Sequence, residues 1–266
     1  MNIFKVLLSI IFILISPTAS SGIVKMKISK KLYILSGKEY GTNIGLIAVE
    51  NGLILIDPMP GDNHLGELDQ VIQSIYNKPV IFILNTHSHS DHTGGNKYFE
   101  GKGGKLLKGD IPLEGFTHIR VESHSSIDNI FYHKESNAIF VGDIFDTSWH
   151  PTFYAGGIKG FSNAIDTILN MGDDQSLIIP GHGVTANKSS LIEFRENTFA
   201  WINRVRELYH KESDLEKIMA DTQLKSILQK FNASDKATFI PEKAYKRFIE
   251  RTISVIDNEE SLQQAH

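Results

Sequence analysis

Apolar and β-branched segments that end in polar or turn-forming residues recur along the first 180 residues, and this pattern predicts β-strands. The predicted strands are KLYILS (31–36), TNIGLIAVE (42–50), GLILID (52–57), VIFIL (80–84), HIRVES (118–123), NIFYH (129–133), AIFVGD (138–143) and SLIIP (176–180). Asn51-Gly52 separates the second strand from the third. Both residue types tolerate positive φ, so this pair predicts a hairpin turn.

Helical spacing of apolar residues appears between the strands and dominates the last third of the chain. The predicted helices cover 64–76, 161–171, 189–209, 215–231 in two pieces, and 241–256. In the first of them Leu65, Leu68 and Ile72 fall on one face. We therefore expect one α+β domain, with its catalytic part over 22–187 and a helical C-terminal extension over 188–266.

The first 21 residues differ in composition from the rest. Lys5 precedes the apolar run VLLSIIFILIS (6–16), and Pro17 and small residues follow. A basic start, a short apolar core and a small-residue region are typical of a secretory signal peptide. The run is also too short for a membrane span, which needs about 18 or more residues. We predict a signal peptide over 1–21 and a periplasmic or secreted mature protein without stable membrane insertion; an uncleaved anchor is the alternative.

The composition narrows the chemistry. The 266 residues include no cysteine, which excludes disulfides, thiolate metal ligands and a lipid-modified cysteine anchor. The formal net charge of −4 argues against nucleic acid as a main partner. The expected partner is a small-molecule substrate, and no feature of the sequence predicts an oligomeric state.

Five of the predicted strands are followed by a histidine or end in an aspartate. These residues are Asp57, His87, His124, Asp143 and His182. Binding sites commonly lie on loops that a rigid scaffold holds at one end of a sheet. We therefore expect these five side chains to lie along one edge of the fold.

The segment THSHSDHTGG (86–95) holds three histidines and an aspartate within six consecutive positions. In an extended loop His87 and His89 project to the same side, so both can bind one metal ion. Asp91 and His92 are adjacent and point elsewhere, toward a second ion. Imidazole and carboxylate without thiolate suit zinc, and also iron or manganese. The segment predicts a metal site.

THSHSDHTGG resembles the H-x-H-x-D-H signature of the metallo-β-lactamase superfamily. Four further family motifs stand in the expected order: ILIDPMP around Asp57, ESHSSIDNIFYH around His124, FVGDIF around Asp143 and IIPGHG around His182. The resemblance covers roughly residues 31–183. It implies an αββα sandwich, in which two mixed β-sheets pack face to face with helices outside and the site along one edge.

The resemblance also implies a ligand set for two zinc ions per chain, with iron or manganese as alternatives. The implied ligands are His87, His89 and His124 for the first ion, and Asp91, His92 and His182 for the second. Asp143 would bridge the two ions, and Asp57 would support the metal-binding loops. A water shared by the ions would be deprotonated near neutral pH and attack the substrate, steered by Asp91. Asp91 and Asp143 are therefore the expected catalytic residues.

One feature departs from the family pattern, and two residue assignments have alternatives. Only 31 residues separate His92 from His124, fewer than is usual, so we expect an open wall of the substrate cleft there. His118 is the other candidate for the third histidine, but it opens a strand and lacks the S-S-x-D-N pattern that follows His124. His150, in the aromatic loop SWHPTFYAGG, is a candidate for substrate contact, with a packing role as the alternative.

The resemblance implies an exported binuclear zinc hydrolase that cleaves a small ester, thioester, lactone, amide or phosphoester. Three alternatives stand beside it. Some β-lactamases of the superfamily need no cysteine, so β-lactam hydrolysis is one. A sulfur dioxygenase with a single iron on His87, His89 and His124 is another. The third is a binding protein that keeps the metal ligands without the activity, which the intact ligand set argues against.

Overall fold

The computed structural model describes residues 22–109, 112–211 and 214–264. The predicted signal peptide over 1–21 lies outside the described residues. Within them, no helix is both long and apolar enough to cross a membrane.

The first of two β-sheets has six strands in chain order. They are β1 (Ile23–Lys27), β2 (Leu32–Gly37), β3 (Ile44–Val49), β4 (Gly52–Ile56), β5 (Val80–Leu84) and β6 (Lys105–Leu106). Neighbouring strands from β1 to β4 are antiparallel, whereas β4, β5 and β6 run parallel. Gly52 is the first residue of β4 and pairs with Val49, so the predicted hairpin is present, but its turn is Glu50-Asn51, one residue before the predicted Asn51-Gly52.

The second sheet has four strands in the order β10-β9-β8-β7. They are β7 (Phe116–Val121), β8 (Asp128–His133), β9 (Ala138–Gly142) and β10 (Leu177–Pro180). The β9 and β10 strands are parallel and the other pairs are antiparallel, so this sheet is mixed like the first.

Helices cover the outer faces of both sheets. Their bounds are α1 (Leu65–Ile75), α2 (Ser90–Thr93), α3 (Asn96–Glu100), α4 (Gly157–Leu169), α5 (Lys188–Lys211), α6 (Leu215–Ala220), α7 (Thr222–Gln229) and α8 (Glu242–Gln264). On the first sheet, Leu68 of α1 packs with Leu55 of β4. On the second sheet, Ile165 of α4 packs with Ile139 of β9 and Trp201 of α5.

A third apolar cluster fills the space between the sheets. Ile54 and Leu84 from the first sheet pack with Phe131 and Phe140 from the second, and all four are buried. Burial of one such side chain stabilises the fold by about 1.5–3 kcal/mol relative to exposure. The layers therefore run helix, sheet, sheet, helix, and the predicted α+β sandwich of two mixed sheets with a helical C-terminal region is confirmed.

The strand arrangement brings the predicted site residues together. Parallel neighbours have their carboxyl ends at the same edge, as in the pairs β4–β5 and β9–β10. The residues that follow these four strands are Asp57, His87, Asp143 and His182. They meet at one edge of the sandwich.

Candidate metal centre

The loop after β5 presents its side chains in two directions, as its sequence predicts. His87 precedes His89 in extended backbone, and His89 has φ −65° and ψ 149°. The short α2 then starts at Ser90 and places Asp91 and His92 beside His182, in a second group of candidate ligands. This one segment therefore contributes side chains to two neighbouring groups of ligands.

The first group, which we call the three-histidine group, consists of His87, His89, His124 and Asp143. One candidate ligand atom from each lies within 4.8 Å of all the others. The Nδ1 atom of His89 is 3.0 Å from Nε2 of His87 and 3.0 Å from Nε2 of His124. His89 is exposed whereas His87 is buried, so the group is open to solvent on one side.

The second group, which we call the two-histidine group, consists of Asp91, His92, His182 and the same Asp143. The two Nε2 atoms of His92 and His182 lie 3.3 Å apart. Oδ2 of Asp91 is 3.3 Å from Nε2 of His182, and the Asp91 side chain is 34% exposed. Asp91 is thus the member of this group that reaches solvent.

Asp143 lies between the groups and offers one carboxylate oxygen to each. Its Oδ2 atom is 3.8 Å from His87 Nε2 and 3.6 Å from His124 Nε2, whereas Oδ1 is 3.3 Å from His92 Nε2. Oδ1 is buried and has no hydrogen-bond partner of good geometry among the described residues. A Cβ atom on Gly181 would lie 1.9 Å from this oxygen, so glycine is needed where the chain passes Asp143.

These distances fit metal ions in both groups. Zinc bonds of about 2.0–2.1 Å in a tetrahedral shell place neighbouring ligand atoms about 3.3–3.4 Å apart. The distances between candidate ligand atoms that are given above run from 3.0 to 3.8 Å. A cation would also give the buried Asp143 Oδ1 a partner of good geometry, which it lacks among the described residues. The residues present therefore fit a pair of metal ions.

Asp57 holds the start of the loop after β5 through hydrogen bonds from Thr86. Its carboxylate accepts hydrogen bonds from the backbone N–H of Thr86 (2.8 Å) and the Thr86 hydroxyl (2.6 Å). It is also 3.0 Å from Nδ1 of His92. Asp57 adopts φ 52°, in the left-handed region that non-glycine residues rarely enter. A conformation of this cost persists where surrounding contacts enforce it, which is common at functional sites.

Three other histidines of the centre are also held through Nδ1. His87 faces the Thr86 hydroxyl at 3.2 Å, and His182 faces the carbonyl oxygen of Tyr40 at 3.1 Å. His124 faces the hydroxyl of Thr152. Such partners fix the tautomer and the ring orientation of a metal-binding histidine.

Two histidines of the three-histidine group, His87 and His124, are held neutral by burial. Burial lowers the pKa of His87 to about 3, and it also lowers the pKa of His124. Neutral imidazole is the form that binds a metal ion. No proton therefore has to leave these two rings before metal binds.

The two-histidine group has the opposite electrostatics. Burial alone would lower the pKa of His92, but the carboxylates of Asp57 and Asp143 raise it to about 11. Burial is likewise outweighed at His182, where the Asp91 hydrogen bond and Asp143 raise the pKa to about 9. The same contact lowers the pKa of Asp91 to about 2. The carboxylates here therefore attract positive charge, which protons supply when no metal is bound.

The structure separates the two candidates for the third histidine. His118 lies on β7, where its Nε2 is 2.9 Å from Asn129 Oδ1 and its ring stacks on Phe131. His124 follows β7 and lies in the three-histidine group. Asp128 of the S-S-x-D-N pattern accepts hydrogen bonds from Ser123 N–H and Ser125 N–H and holds this turn.

His150 lies outside both groups, on the side of the helical layer. It is buried and stacks on Phe248 of α8, with ring centroids 4.0 Å apart. Burial lowers its pKa to about 4, so it is neutral. It also borders a cavity of about 310 Å³ with Arg247 and Arg251. Substrate contact by His150 stays a prediction.

A cavity of about 460 Å³ adjoins the metal loop where the segment between His92 and His124 is short. His87, Ser88, Lys108 and Ile127 are among the residues that border it. Ile127 is 55% exposed. The expected open wall of the substrate cleft stays a prediction.

Sequence reasoning missed several residues that hold the ligands. They are Tyr40, Thr42, Asn85, Thr86 and Thr152. The Thr42 hydroxyl donates to the Asp91 carbonyl at 2.7 Å, and Asn85 donates to the His92 carbonyl at 3.3 Å. Thr86, directly before His87, was the one accessible signal, because a hydroxyl beside a ligand is a natural hydrogen-bond partner. The other four come from distant or ordinary positions.

Comparisons with known proteins agree with this geometry. A family model described as the metallo-β-lactamase superfamily matches residues 37–109. Metallo-β-lactamase IND-1 of Chryseobacterium indologenes is 30% identical over 104 residues, which are 35% of this chain and 44% of that protein. The "probable hydroxyacylglutathione hydrolase glo2" of Schizosaccharomyces pombe is 31% identical over 129 residues, 41% of this chain and 50% of that protein. The chain spans about half the length of these two curated relatives.

Solved structures extend the likeness of the fold. A metallo-β-lactamase from Pontibacter korlensis aligns with a TM-score of 0.56 at 20% identity, over 65% of this chain and 97% of that one. A metallo-β-lactamase from Hirschia baltica aligns with a TM-score of 0.57 at 21% identity, over 65% and 96%. At such identities the likeness concerns the fold.

Proposed function

We propose that the chain is a member of the metallo-β-lactamase superfamily and an exported hydrolase with two zinc ions, which cleaves a small ester, thioester, lactone, amide or phosphoester. The partner is a small-molecule substrate. The proposed export rests on the composition of residues 1–21, and the proposed zinc rests on a ligand set of imidazole and carboxylate.

One observation carries the proposal. Asp143 directs Oδ2 toward the three-histidine group and Oδ1 toward the two-histidine group. A carboxylate in this position can bind two ions at once. A single-ion site would leave the two-histidine group, with His92 fully buried, without a role.

The residues of the metal centre have different roles in the proposed reaction. His87, His89 and His124 present ring nitrogens to one ion, and Asp143 joins the two groups. Zinc, when bound, lowers the pKa of water and polarises the carbonyl or phosphoryl oxygen of the substrate. Asp91, the carboxylate that reaches solvent, orients the attacking water by accepting its hydrogen bond at Oδ1 or Oδ2. Exposed His89 and half-exposed Asp91 mark the face from which substrate enters.

The test begins with metal content. The mature chain, from residue 22, is purified without chelators or metal-affinity resin and subjected to elemental analysis. We expect about two zinc ions per chain. One iron per chain would instead support oxygen chemistry on a sulfur substrate, and no tightly bound metal would contradict the proposal.

The second step is a substrate screen with two matched variants. Esters, thioesters, lactones, β-lactams and phosphodiesters are tested with the wild type, His89→Ala and His210→Ala. His210 is an exposed histidine outside the centre, 3.2 Å from Glu260. Turnover should disappear in His89→Ala and persist in His210→Ala. Wild-type turnover by a metal-free His89→Ala protein would overturn the mechanism.

β-Lactam hydrolysis is the second candidate within the same chemistry. Its support is the likeness to IND-1, at 30% identity over 104 residues. The hydroxyacylglutathione hydrolase is as similar, at 31% over 129 residues, so thioesters have equal claim. The screen therefore includes both substrate classes at matched concentrations, and the ratio of their kcat/KM values decides between them.

A further inference from the structure

The loop between β9 and α4 connects the metal centre to the helical layer, and Thr152 lies at the connection. The hydroxyl oxygen of Thr152 is 2.5 Å from Nδ1 of His124. Thr152 also borders the cavity between this loop and α8, together with His150 and Phe248. One side chain thus contacts both a candidate metal ligand and the lining of the helical layer.

The geometry fixes the direction of this hydrogen bond when metal is bound. Nε2 of His124 lies among the candidate ligand atoms, 3.0 Å from His89 Nδ1 and 3.6 Å from Asp143 Oδ2. A metal-binding His124 therefore carries its proton on Nδ1. That N–H donates to the hydroxyl oxygen of Thr152.

The helical layer packs on the loop that carries Thr152 through aromatic stacking. His150, two residues before Thr152, stacks on Phe248 of α8, with ring centroids 4.0 Å apart and an interplanar angle of 12°. Phe248 in turn stacks on Trp201 of α5, at 4.0 Å and 1°. The Trp201 indole N–H donates to Thr252 Oγ1 at 2.9 Å, which locks α5 to α8. Phe153, on the other side of Thr152, is fully buried.

The Nδ1 partners of the other metal-centre histidines come from other parts of the fold. His92 is held by Asp57 after β4, His87 by Thr86 after β5, and His182 by the carbonyl oxygen of Tyr40. Among these Nδ1 contacts, that of His124 is the one made by the loop that packs on α8.

We propose that Thr152 is a positioning residue, through which the packing of α5 and α8 orients His124 and sets the metal affinity of the three-histidine group. This assigns the C-terminal helices a role in completing the metal site. The inference rests on the metal centre of the proposed function. It predicts a loss confined to one of the two groups, because His124 belongs to only one of them.

The test compares Thr152→Val with Thr152→Ser. Valine keeps the branched shape and removes the hydroxyl, whereas serine keeps the hydroxyl. Metal affinity is measured by competition with a chromophoric chelator, and bound zinc is counted by elemental analysis. We expect about a 10- to 100-fold loss of affinity for one of two zinc ions in the valine variant, the scale on which such outer partners act. Serine should restore most of it.

Two further variants separate positioning from general stability. Thr167→Val removes a hydroxyl on exposed α4 that donates to Asn163, and it should leave both affinities unchanged. Phe248→Leu removes the stack under His150 and should weaken the same zinc ion as Thr152→Val, with Thr152 intact. If Thr152→Val does not fold, Thr152→Ala gives the same comparison with serine and adds no bulk beside the imidazole.

The outcomes distinguish this inference from the proposed function. A wild type that binds two zinc ions, with a Thr152→Val variant that binds both with unchanged affinity, overturns the role of Thr152 alone. Equal weakening of both ions by Thr152→Val and Thr152→Ser also overturns it, because a purely structural effect would not depend on the hydroxyl. A wild type without metal removes both proposals together.

Discussion

The two halves of the metal centre share Asp143 but solve the problem of buried charge differently. In the three-histidine group, burial keeps His87 and His124 neutral, with the pKa of His87 at about 3. In the two-histidine group, carboxylates surround the rings and raise the pKa of His92 to about 11 and of His182 to about 9. His87 and His124 therefore present neutral rings to a metal ion, whereas His92 and His182 carry protons that a metal ion must displace.

The difference follows from which residues lie behind each ring. Hydroxyl groups of Thr86 and Thr152 face the Nδ1 atoms of His87 and His124. The carboxylate of Asp57 lies behind His92, and that of Asp91 lies beside His182. A neutral partner orients a ring without changing its charge, while a carboxylate also stabilises the protonated form. The two halves should therefore bind metal with different pH dependence and respond differently to mutation.

Removal of the shared ligand should have the largest effect. Asp143→Ala takes one ligand from each group, so both zinc ions should be lost or greatly weakened. Turnover should fall by on the order of 10³-fold or more, the scale seen when one electrostatic stabiliser is removed. Elemental analysis and kcat/KM on the substrate found in the screen measure the two effects.

The matched control for this variant is Asp166→Ala, which removes an exposed carboxylate 2.9 Å from Arg195 on the outer face of the helical layer. It should keep both ions and full turnover. Retention of two zinc ions in Asp143→Ala would contradict the role of Asp143 as a ligand shared by the two groups.

Titration of metal binding against pH should separate the halves next. His92 and His182 are protonated below pKa values of about 11 and 9, so a metal ion must displace their protons. Affinity at the two-histidine group should therefore rise about tenfold per pH unit for each proton displaced. Above its pKa of about 3, His87 has no proton to lose, so the three-histidine group should show almost no slope between pH 7 and 8.5.

Calorimetry in two buffers of different ionisation enthalpy counts the released protons directly. We expect the first equivalent of zinc to release fewer protons than the second. Equal release by both equivalents would contradict the electrostatic difference between the halves.

Local signals were sufficient to predict most of the fold. Strands such as 52–57 and 138–143 are long, apolar and bounded by turn residues, and each is present in the structure. β1 was missed; it is an edge strand in which Ile23 is buried, whereas Val24 and Met26 are 55% and 42% exposed. β6 was missed because two residues carry no periodicity.

At the metal centre, too, some residues could be predicted from the sequence and others could not. The candidate ligands are recognisable because their residue types and spacing are set by the chemistry of metal binding, and the structure brings all seven together. The residues that orient these ligands are not recognisable in the sequence. A hydroxyl such as that of Thr152, or the carbonyl oxygen of Tyr40, becomes a partner only when distant segments meet in the folded chain. Tertiary packing, which no local pattern encodes, decides these positions.

Asp57→Asn should have the smallest effect and should concentrate it in the two-histidine group. Asparagine keeps an oxygen for the Thr86 N–H, tolerates the φ of 52° and removes the charge behind His92. The amide would also bring an N–H group against Nδ1–H of His92, which disfavours the metal-binding tautomer. Zinc affinity of the two-histidine group should fall about 10-fold, at the lower end for such partners. The zinc affinity of the other half should fall less, because Asp57 reaches His87 only through the hydroxyl of Thr86.

Asp57→Asn has two opposing effects on zinc affinity: it removes the partner that orients His92, and it lowers the pKa of His92. The pH profile of zinc affinity separates these effects. Loss of the Asp57 carboxylate lowers the pKa of His92, since that carboxylate is the main charge that raises it. Fewer protons then compete with zinc, so the loss of affinity should be greatest at high pH and should shrink as the pH falls toward 6. Asp166→Asn, a charge removal remote from the centre, should leave both affinities and their pH profiles unchanged. A loss that is uniform across pH would mean that Asp57 acts on His92 only through orientation, and the electrostatic contrast between the two halves would then rest on Asp91 and Asp143 alone.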